Sequence, residues 1–556
     1  MATMRTAQLR AGLKLSAALL AILAGGVAQA ESDAGTMQSS GTGTDVQDEA
    51  DQPSSGGLSE IVVSARKRSE NLQDVSTSVS ALSAEQLETR FDMDVRDYAN
   101  IAPNVLIDDT QQGPGGVASA TIRGIGVADV EKAIDPTVGV VLDDIYFGTS
   151  SGGLLRAIDI DRVEVLRGPQ GTLFGRNAIA GVINLGRSRP TQELSGKARV
   201  TYASFNSFDV EGLISFGITD WAAIKLTAAR RRTDGYIFNT LQNQDAQRSN
   251  FTALGVQLLL NPTPDLEISI SFDDQNTRQD PPQLSNLAQE TSLLGSPPIA
   301  RPNLFCQTLD QCSPALGVPQ QGDRYESISN GPLNKNAFFD TNLLIAKVRY
   351  DLSDDWDIQY IFGRFLTDEA ITQDFDATPL TLFHTDRPAV YEQDTHELRL
   401  TKSGAGPVNL VAGLYYWDSS YQIDLVSYIG FITPDVLVIP QTVRQTNKSY
   451  AGFFELDYRF SDQIKLTVGG RYTRDEKTQG VRDLGFDFLD TPVEDSWEEF
   501  TPKAALSYTP NDDLLFYGLY SRGYRTGGFT GRPATENAAR TPFDPELVDN
   551  FEIGMK

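Results

Sequence analysis

From about residue 196 to its last residue, the chain alternates apolar and polar side chains with a period of two. Ile464, Leu466, Val468 and Tyr472 alternate with Lys465, Thr467 and Arg471, and Tyr450, Phe454, Leu456 and Tyr458 with Glu455 and Asp457. Leu266, Ile268, Ile270 and Phe272 alternate with Glu267, Ser269 and Ser271, and Val408, Leu410, Ala412 and Leu414 flank Asn409 and Gly413. Successive strand side chains point to opposite faces, so each such segment has one apolar and one polar face. A soluble sandwich meets the same requirement, so the connections must decide. Short ones recur near Gly217–Trp221, Asn261–Asp265, Asp351–Trp356, Lys402–Pro407, Ser461–Gln463 and Thr509–Asp513. Between them lie long polar segments at 274–338, 367–393 and 418–447. Short turns on one side and long loops on the other belong to barrels that cross a membrane with strands. Trp221, Trp356, Tyr416, Tyr458 and Tyr508 near strand ends suit the aromatic girdles of such a barrel.

Polarity does not oppose this. Mean hydropathy is −0.27, but alternating strands average to a neutral value and give no long apolar window. The net charge of −27 argues against nucleic-acid binding, which needs clustered Lys and Arg against phosphate. At 556 residues the chain exceeds one ordinary domain, large barrels being the exception.

The first thirty residues read as an export signal. Arg5, Arg10 and Lys14 precede the apolar run Leu15–Gly25, and Ala28-Gln29-Ala30 offers a cleavage site after Ala30. Residues 31–59, rich in Ser, Gly, Asp and Gln, cannot bury enough surface to order themselves and are expected to be a disordered linker. Glu60-Ile61-Val62-Val63-Ser64-Ala65 follows, a short β-prone run. Propensity alone suits it to the first strand of the next domain, or to a peptide that pairs with the sheet edge of a partner. Residues 70–190 have mixed α/β character. Ser83-Ala84-Glu85-Gln86 fits a helix start and Val95–Ala99 a further helical turn. Val138–Leu142 and Val163–Leu166 read as strands between Gly-rich turns. Glycines 168, 171, 175 and 181 lead into no Gly-Lys-Ser/Thr, so tight turns explain them better than a phosphate loop.

The run from Val163-Glu164-Val165-Leu166-Arg167-Gly168-Pro169-Gln170-Gly171 through Thr172-Leu173-Phe174-Gly175 to Ala180-Gly181-Val182-Ile183-Asn184 resembles the plug motif of TonB-dependent outer-membrane receptors. Thr121–Gly126, Val138–Tyr146 and Phe543–Lys556 are similar to further segments of that family. The resemblance spans residues 60–556. It implies an all-β transmembrane barrel of the 22-stranded type, with an N-terminal mixed α/β plug at 70–190. About fourteen strands are expected within 196–556, the last being Asn550–Lys556, so the barrel is expected to be incomplete at its C-terminus. The family binds a scarce solute at the cell surface, and TonB, relaying inner-membrane energy, rearranges the plug. Glu60–Ala65 stands where the family has its TonB box, and is expected to be a pairing strand that is disordered in the isolated receptor. The 31–59 segment is too short and polar for the signalling domain of the family's regulatory members.

The resemblance makes a ferric siderophore the commonest cargo, with cobalamin, saccharides or other nutrients as alternatives, and it implies no cofactor. Haem is disfavoured, because the only histidines are His384, expected to be a solvated loop residue, and His396, on the lipid-facing parity of its strand. The pairs Asp108-Asp109 and Asp143-Asp144 are expected to be solvated or capping rather than metal ligands. Cys306 and Cys312 lie in a Pro- and Gly-rich stretch without a nearby His, so in an exported chain they are expected to form a disulfide in an outer loop. No nucleophile–base constellation stands out, so an enzyme is not expected. A passive porin would share the barrel but not the plug or the β-prone run. In receptors of this kind, plug arginines pair with barrel glutamates. Parity turns Glu499 and Glu552 inward, so a buried cluster of Arg123, Arg167, Glu499 and Glu552 is expected.

Overall fold

The computed structural model describes residues 62–64, 66–88, 101–109, 118–127, 131–150, 159–284, 290–291, 299–300, 325–333, 337–430, 435–483, 492–511 and 514–556. The signal segment, the linker, Glu60, Ile61, Ala65, Val95–Ala99 and both cysteines lie outside them.

Two bodies of structure follow from two sequence patterns. Continuous apolar runs between glycines build the plug, a five-stranded sheet in the order Val79–Ser83, Ile160–Arg167, Gly181–Arg187, Val138–Leu142, Ile145–Phe147. Val138–Leu142 and nearly all of Gly181–Arg187 are buried, which accounts for the consecutive apolar residues Val140-Val141-Leu142 and Val182-Ile183 where alternation would otherwise be expected. The expected helix start is present as Ala84–Glu88, with Ser83 N–H donating to the Gln86 side chain. Gly175 has φ +83°, and a Cβ there would stand 2.7 Å from the Arg471 guanidinium. That close approach of plug backbone to barrel wall is what the glycine permits.

The alternating region forms one antiparallel path of fourteen strands from Ser195–Ala203 to Glu546–Met555, each hydrogen-bonded to the next in sequence. Parity holds along it. Phe454, Tyr458, Leu414 and Ile270 are exposed on the outer face, while Glu455, Asp457 and Ser271 are buried on the inner one. His396 sits outward among Tyr360, Phe362 and Tyr416, its Nδ1 2.8 Å from the Tyr360 hydroxyl. No helix among the described residues is long and apolar enough to cross a membrane.

Two expectations are corrected. The segment 418–447 is not mainly a loop, because Val408–Ile429 and Leu437–Arg459 are paired strands of 22 and 23 residues. At about 3.3 Å per residue each is about 70 Å long, far taller than an apolar band of about 25 Å. Beyond that band both faces meet water, so the apolar–polar signal stops although the backbone ladder continues. Nor is the inner face uniformly polar. Leu343, Ile345, Ile361 and Phe365 point inward and join the plug's Ile145 and Phe147 in one core, with the Phe147 and Phe365 rings 4.8 Å apart edge to face.

Candidate functional site

The chain enters the plug through a small hairpin. Val62–Val63 pairs antiparallel with Glu70–Asn71, Val63 is buried, and Ser64 N–H donates to the buried Glu164 carboxylate at 2.6 Å. The three described residues of the β-prone run thus lie in a hairpin against the plug. The reason is local: a partner strand lies a few residues downstream, and Glu164 from the plug motif takes the next free amide.

The hairpin's turn is basic, and it is aimed at the barrel. Lys67 adopts φ +59° and closes the turn with Lys67 N–H on the Ser64 carbonyl at 2.8 Å. Arg66 donates from Nε to Glu455 and from Nη2 to Asp457, both at 2.6 Å. Arg68 also pairs with Asp457, and with Glu70 at 2.7 Å. Lys67 Nζ lies 2.6 Å from Glu397 and 4.9 Å from the Phe453 ring centre. All three cations are buried, with side-chain exposures of 3, 8 and 5%. Burial pulls the Lys67 pKa down to about 8, with Glu397 opposing. For Arg66 burial also acts downward, but Glu455, Glu70 and Asp457 outweigh it and hold the group well above its ordinary value.

The network continues along the wall. Lys503 completes Glu455 at 2.8 Å, and Arg399 bridges Glu397 at 2.7 Å to Asp144 at 3.0 Å. Asp143 and Asp144, expected to be solvated or capping, instead reach Arg187 at 2.6 Å and Lys347 at 2.7 Å. Their left-handed backbone, φ +48° and +72°, places two carboxylates at one plug turn where barrel cations converge. For Asp144 burial acts upward, but Lys347 and Arg399 prevail and hold it far below the usual carboxylate range. Beside these charges a cavity of about 570 Å³ separates plug from wall, lined by Lys67, Arg68, Asp144, Arg187, Lys347 and Arg399 among others. A second knot lies deeper: Arg176 pairs with Asp475 at 3.1 Å, stacks 3.9 Å from the Trp417 ring centre, and shares Asp135 with Lys477.

The expected four-residue cluster assembles only in part. Arg123 pairs with Glu552 at 2.7 Å, and Tyr517 hydroxyl donates to the same carboxylate at 2.7 Å. Glu499 points inward but pairs with Arg522 of the neighbouring strand at 3.5 Å. Arg167 reaches only the Pro103 carbonyl at 3.4 Å, and burial, then the adjacent Arg123, push its pKa down. The pair is also not fully buried, Arg123 being 33% exposed. Arg66, Lys67 and Arg68 were the residues missed. Their signal was available, as three consecutive cations beside the β-prone run in a strongly acidic chain.

His384 is likewise not solvated. It is buried at the outer end of the barrel, with Nε2 3.3 Å from Asp376 and 3.4 Å from Asp374. Its burial arises because 372–374 and 383–386 pair as an inner hairpin within the loop, which polar composition alone did not announce.

Residues 71–182 match the TonB-dependent Receptor Plug Domain, and residues 313–556 the TonB dependent receptor-like, beta-barrel family. The chain is 24% identical over 510 residues to the pesticin receptor of Yersinia pestis, covering 90% of this chain and 68% of that protein. It spans 62% of the pesticin receptor of Yersinia enterocolitica, also at 24% identity and over 82% of this chain. The crystal structure of the ferric yersiniabactin uptake receptor FyuA from Yersinia pestis superposes with a TM-score of 0.70 at 20% identity, covering 86% of this chain and 69% of that one. At that identity the likeness concerns the fold.

Proposed function

The chain belongs to the TonB-dependent receptors of the Gram-negative outer membrane, and from that premise we propose that it takes up a scarce solute with TonB-relayed energy, a ferric siderophore before other nutrients. The observation that carries the reading is the hairpin. Its first strand, Val62–Val63, belongs to the hexamer Glu60–Ala65, and its turn carries the three cations that fasten plug to barrel. A partner that takes the place of Glu70–Asn71 beside the hexamer would pull on that turn. Strand addition draws its affinity from backbone hydrogen bonds. Withdrawing the turn would separate Arg66 and Arg68 from Asp457, Arg66 from Glu455 and Lys67 from Glu397. Each buried charge left alone costs roughly 3–5 kcal/mol, so the latch holds firmly at rest and yields only to applied work.

The siderophore reading draws on the pesticin receptor and FyuA likenesses. No nucleophile–base pair is involved, and the role proposed is transport rather than catalysis.

The test is Val62→Pro, which removes an N–H and resists strand pairing. Iron-starved cells given ⁵⁵Fe-loaded siderophores should bind the label at their surface but fail to accumulate it. Accumulation equal to wild type would reject the coupling role. If the wild type accumulates no ferric siderophore but takes up labelled cobalamin by an energy-dependent route, the cargo assignment fails while the coupling role stands.

A further inference from the structure

In the outer hairpin formed by Thr372–Asp374 and Phe383–Asp386, one imidazole has acceptors on both sides of its ring. Asp374 and His384 are direct cross-strand partners, and Asp376 lies in the turn between them, next to Ala377 at φ +54°. Asp374, Asp376 and His384 are 3, 0 and 8% exposed.

We propose that His384 is an imidazolium clasp: while protonated it ties the outer loops together, and its deprotonation in an alkaline medium loosens them.

The surroundings ask for a proton on each ring nitrogen. Nε2 faces Asp376 at 3.3 Å and Asp374 at 3.4 Å. The ring also hydrogen-bonds the Leu380 backbone. The Leu380 N–H is given to Thr378 Oγ at 3.1 Å, so the ring's partner there is the carbonyl. With Nε2 turned to the carboxylates, that bond falls to Nδ1. An imidazolium has a donor at both nitrogens, whereas a neutral ring has only one. Deprotonation therefore leaves a ring lone pair against either the carbonyl or two carboxylates.

Neither carboxylate is free to turn away. Asp374 accepts from the amides of Asp376 and Ala377 at 2.8 and 3.0 Å and from Ser329 Oγ at 2.6 Å. Asp376 accepts from the amides of Thr378, Leu382 and Phe383 at 3.0, 2.9 and 2.8 Å. These two are the titratable groups that the hairpin itself turns to the ring. The segment before Asn330 brings the Ser329 hydroxyl, already bonded to Asp374. The strand Val408–Ile429 places Tyr428 opposite His384, with its hydroxyl committed to Asp386 at 2.9 Å.

The sign follows from these charges. Burial alone would lower the His384 pKa, but Asp376 and Asp374 outweigh it and raise the group above its ordinary 6.5. A group raised in the folded state contributes stability that is complete below 6.5 and is lost as pH rises through the folded value. Asp374 acts in the same sense. Burial and then Asp376 push it up to about 6, so acid also removes part of the negative surplus.

The clasp reaches beyond its own hairpin. Through Ser329 the hairpin is tied to the segment that contains Glu326–Ser327, which itself pairs in parallel with Phe238–Asn239. Loosening the hairpin therefore unties three outer loops together, whatever solute the receptor carries.

The experiment uses the full chain, folded in detergent and labelled with ¹⁵N in histidine. Its two histidines are His384 and His396, so His396→Asn leaves a single ring to follow. Scanned from about pH 5.5 to about pH 9, His384 should keep imidazolium ¹⁵N shifts with a midpoint above 6.5. Amide hydrogen exchange of residues 376–386, corrected for its intrinsic pH dependence, should quicken at least about tenfold through the same midpoint. Ala389–Lys402 should stay protected throughout. His384→Gln should exchange quickly at every pH. A midpoint at or below 6.5, or exchange that does not follow the His384 midpoint, overturns the proposal. A folded His384→Gln variant that keeps the wild-type pH dependence overturns it too, because another group would then be the sensor. Should that variant not fold, the titration and exchange of the parent protein decide alone.

Discussion

At the scale of the residue, the plug is held by a few buried charges of unequal worth. Asp457 receives both Arg66 and Arg68 and also the Thr467 hydroxyl at 2.6 Å. Asp457→Asn therefore leaves two buried guanidinium groups short of one charge. It should lower resistance of the plug to urea by roughly 3–5 kcal/mol, read from protease sensitivity of the plug while the barrel stays folded. Glu499→Gln is the contrast. Its partner Arg522 is 31% exposed and belongs to the barrel itself, so an effect of only about 0–1 kcal/mol is expected. Equal losses in the two variants would refute the assignment. Lys67 adds a pH signature. Its proton leaves near pH 8 in the folded protein and near 10.5 in the unfolded chain. Between those values the unfolded state holds more protons, so this group's contribution makes stability rise with pH. Wild type should gain on Lys67→Met across that window in urea midpoints, and a relative loss would contradict it.

At the scale of the element, the strands obey parity, but what parity implies depends on height. Leu466 is the third residue of Ile464–Asp483 and lies beside a short turn, not at mid-membrane. Arg there should cost little, since the penalty falls to about 0–1 kcal/mol near the interface. Leu414 is the seventh residue of Val408–Ile429 and is 64% exposed on the outer face. Leu414→Arg should cost on the order of 2–4 kcal/mol in urea unfolding from lipid. Ser269→Arg, on the inner face and lining the cavity, should be tolerated better. If Leu414→Arg and Leu466→Arg cost the same, the height assignment is wrong. Thr467 is no neutral control, because its hydroxyl is committed to Asp457.

At the scale of the whole molecule, the plug and wall share one apolar core and several ionic knots, and the hairpin 62–71 adds its three cations to them. Strand alternation, the order of short and long connections, the plug's buried strands and the inward parity of Glu499 and Glu552 were all legible in the sequence. Each follows from local rules: period two, turn chemistry, and the need of a strand to hide one face. The partners of the charges were not legible. Arg123 found Glu552, but Glu499 went to Arg522 and Arg167 to a carbonyl, because pairing depends on the stagger of one strand against the next and on where the plug sits. His384 and its two aspartates met through a hairpin inside a polar loop, where no apolar face marks the fold. The sequence by itself therefore determined which face each strand turns to lipid and that a mixed α/β segment precedes the barrel, while the resemblance carried by its motif marked that segment as a plug. Only the tertiary structure decided which charge meets which, since segments some four hundred residues apart, such as Arg66 and Asp457, are brought together by no rule of local pattern.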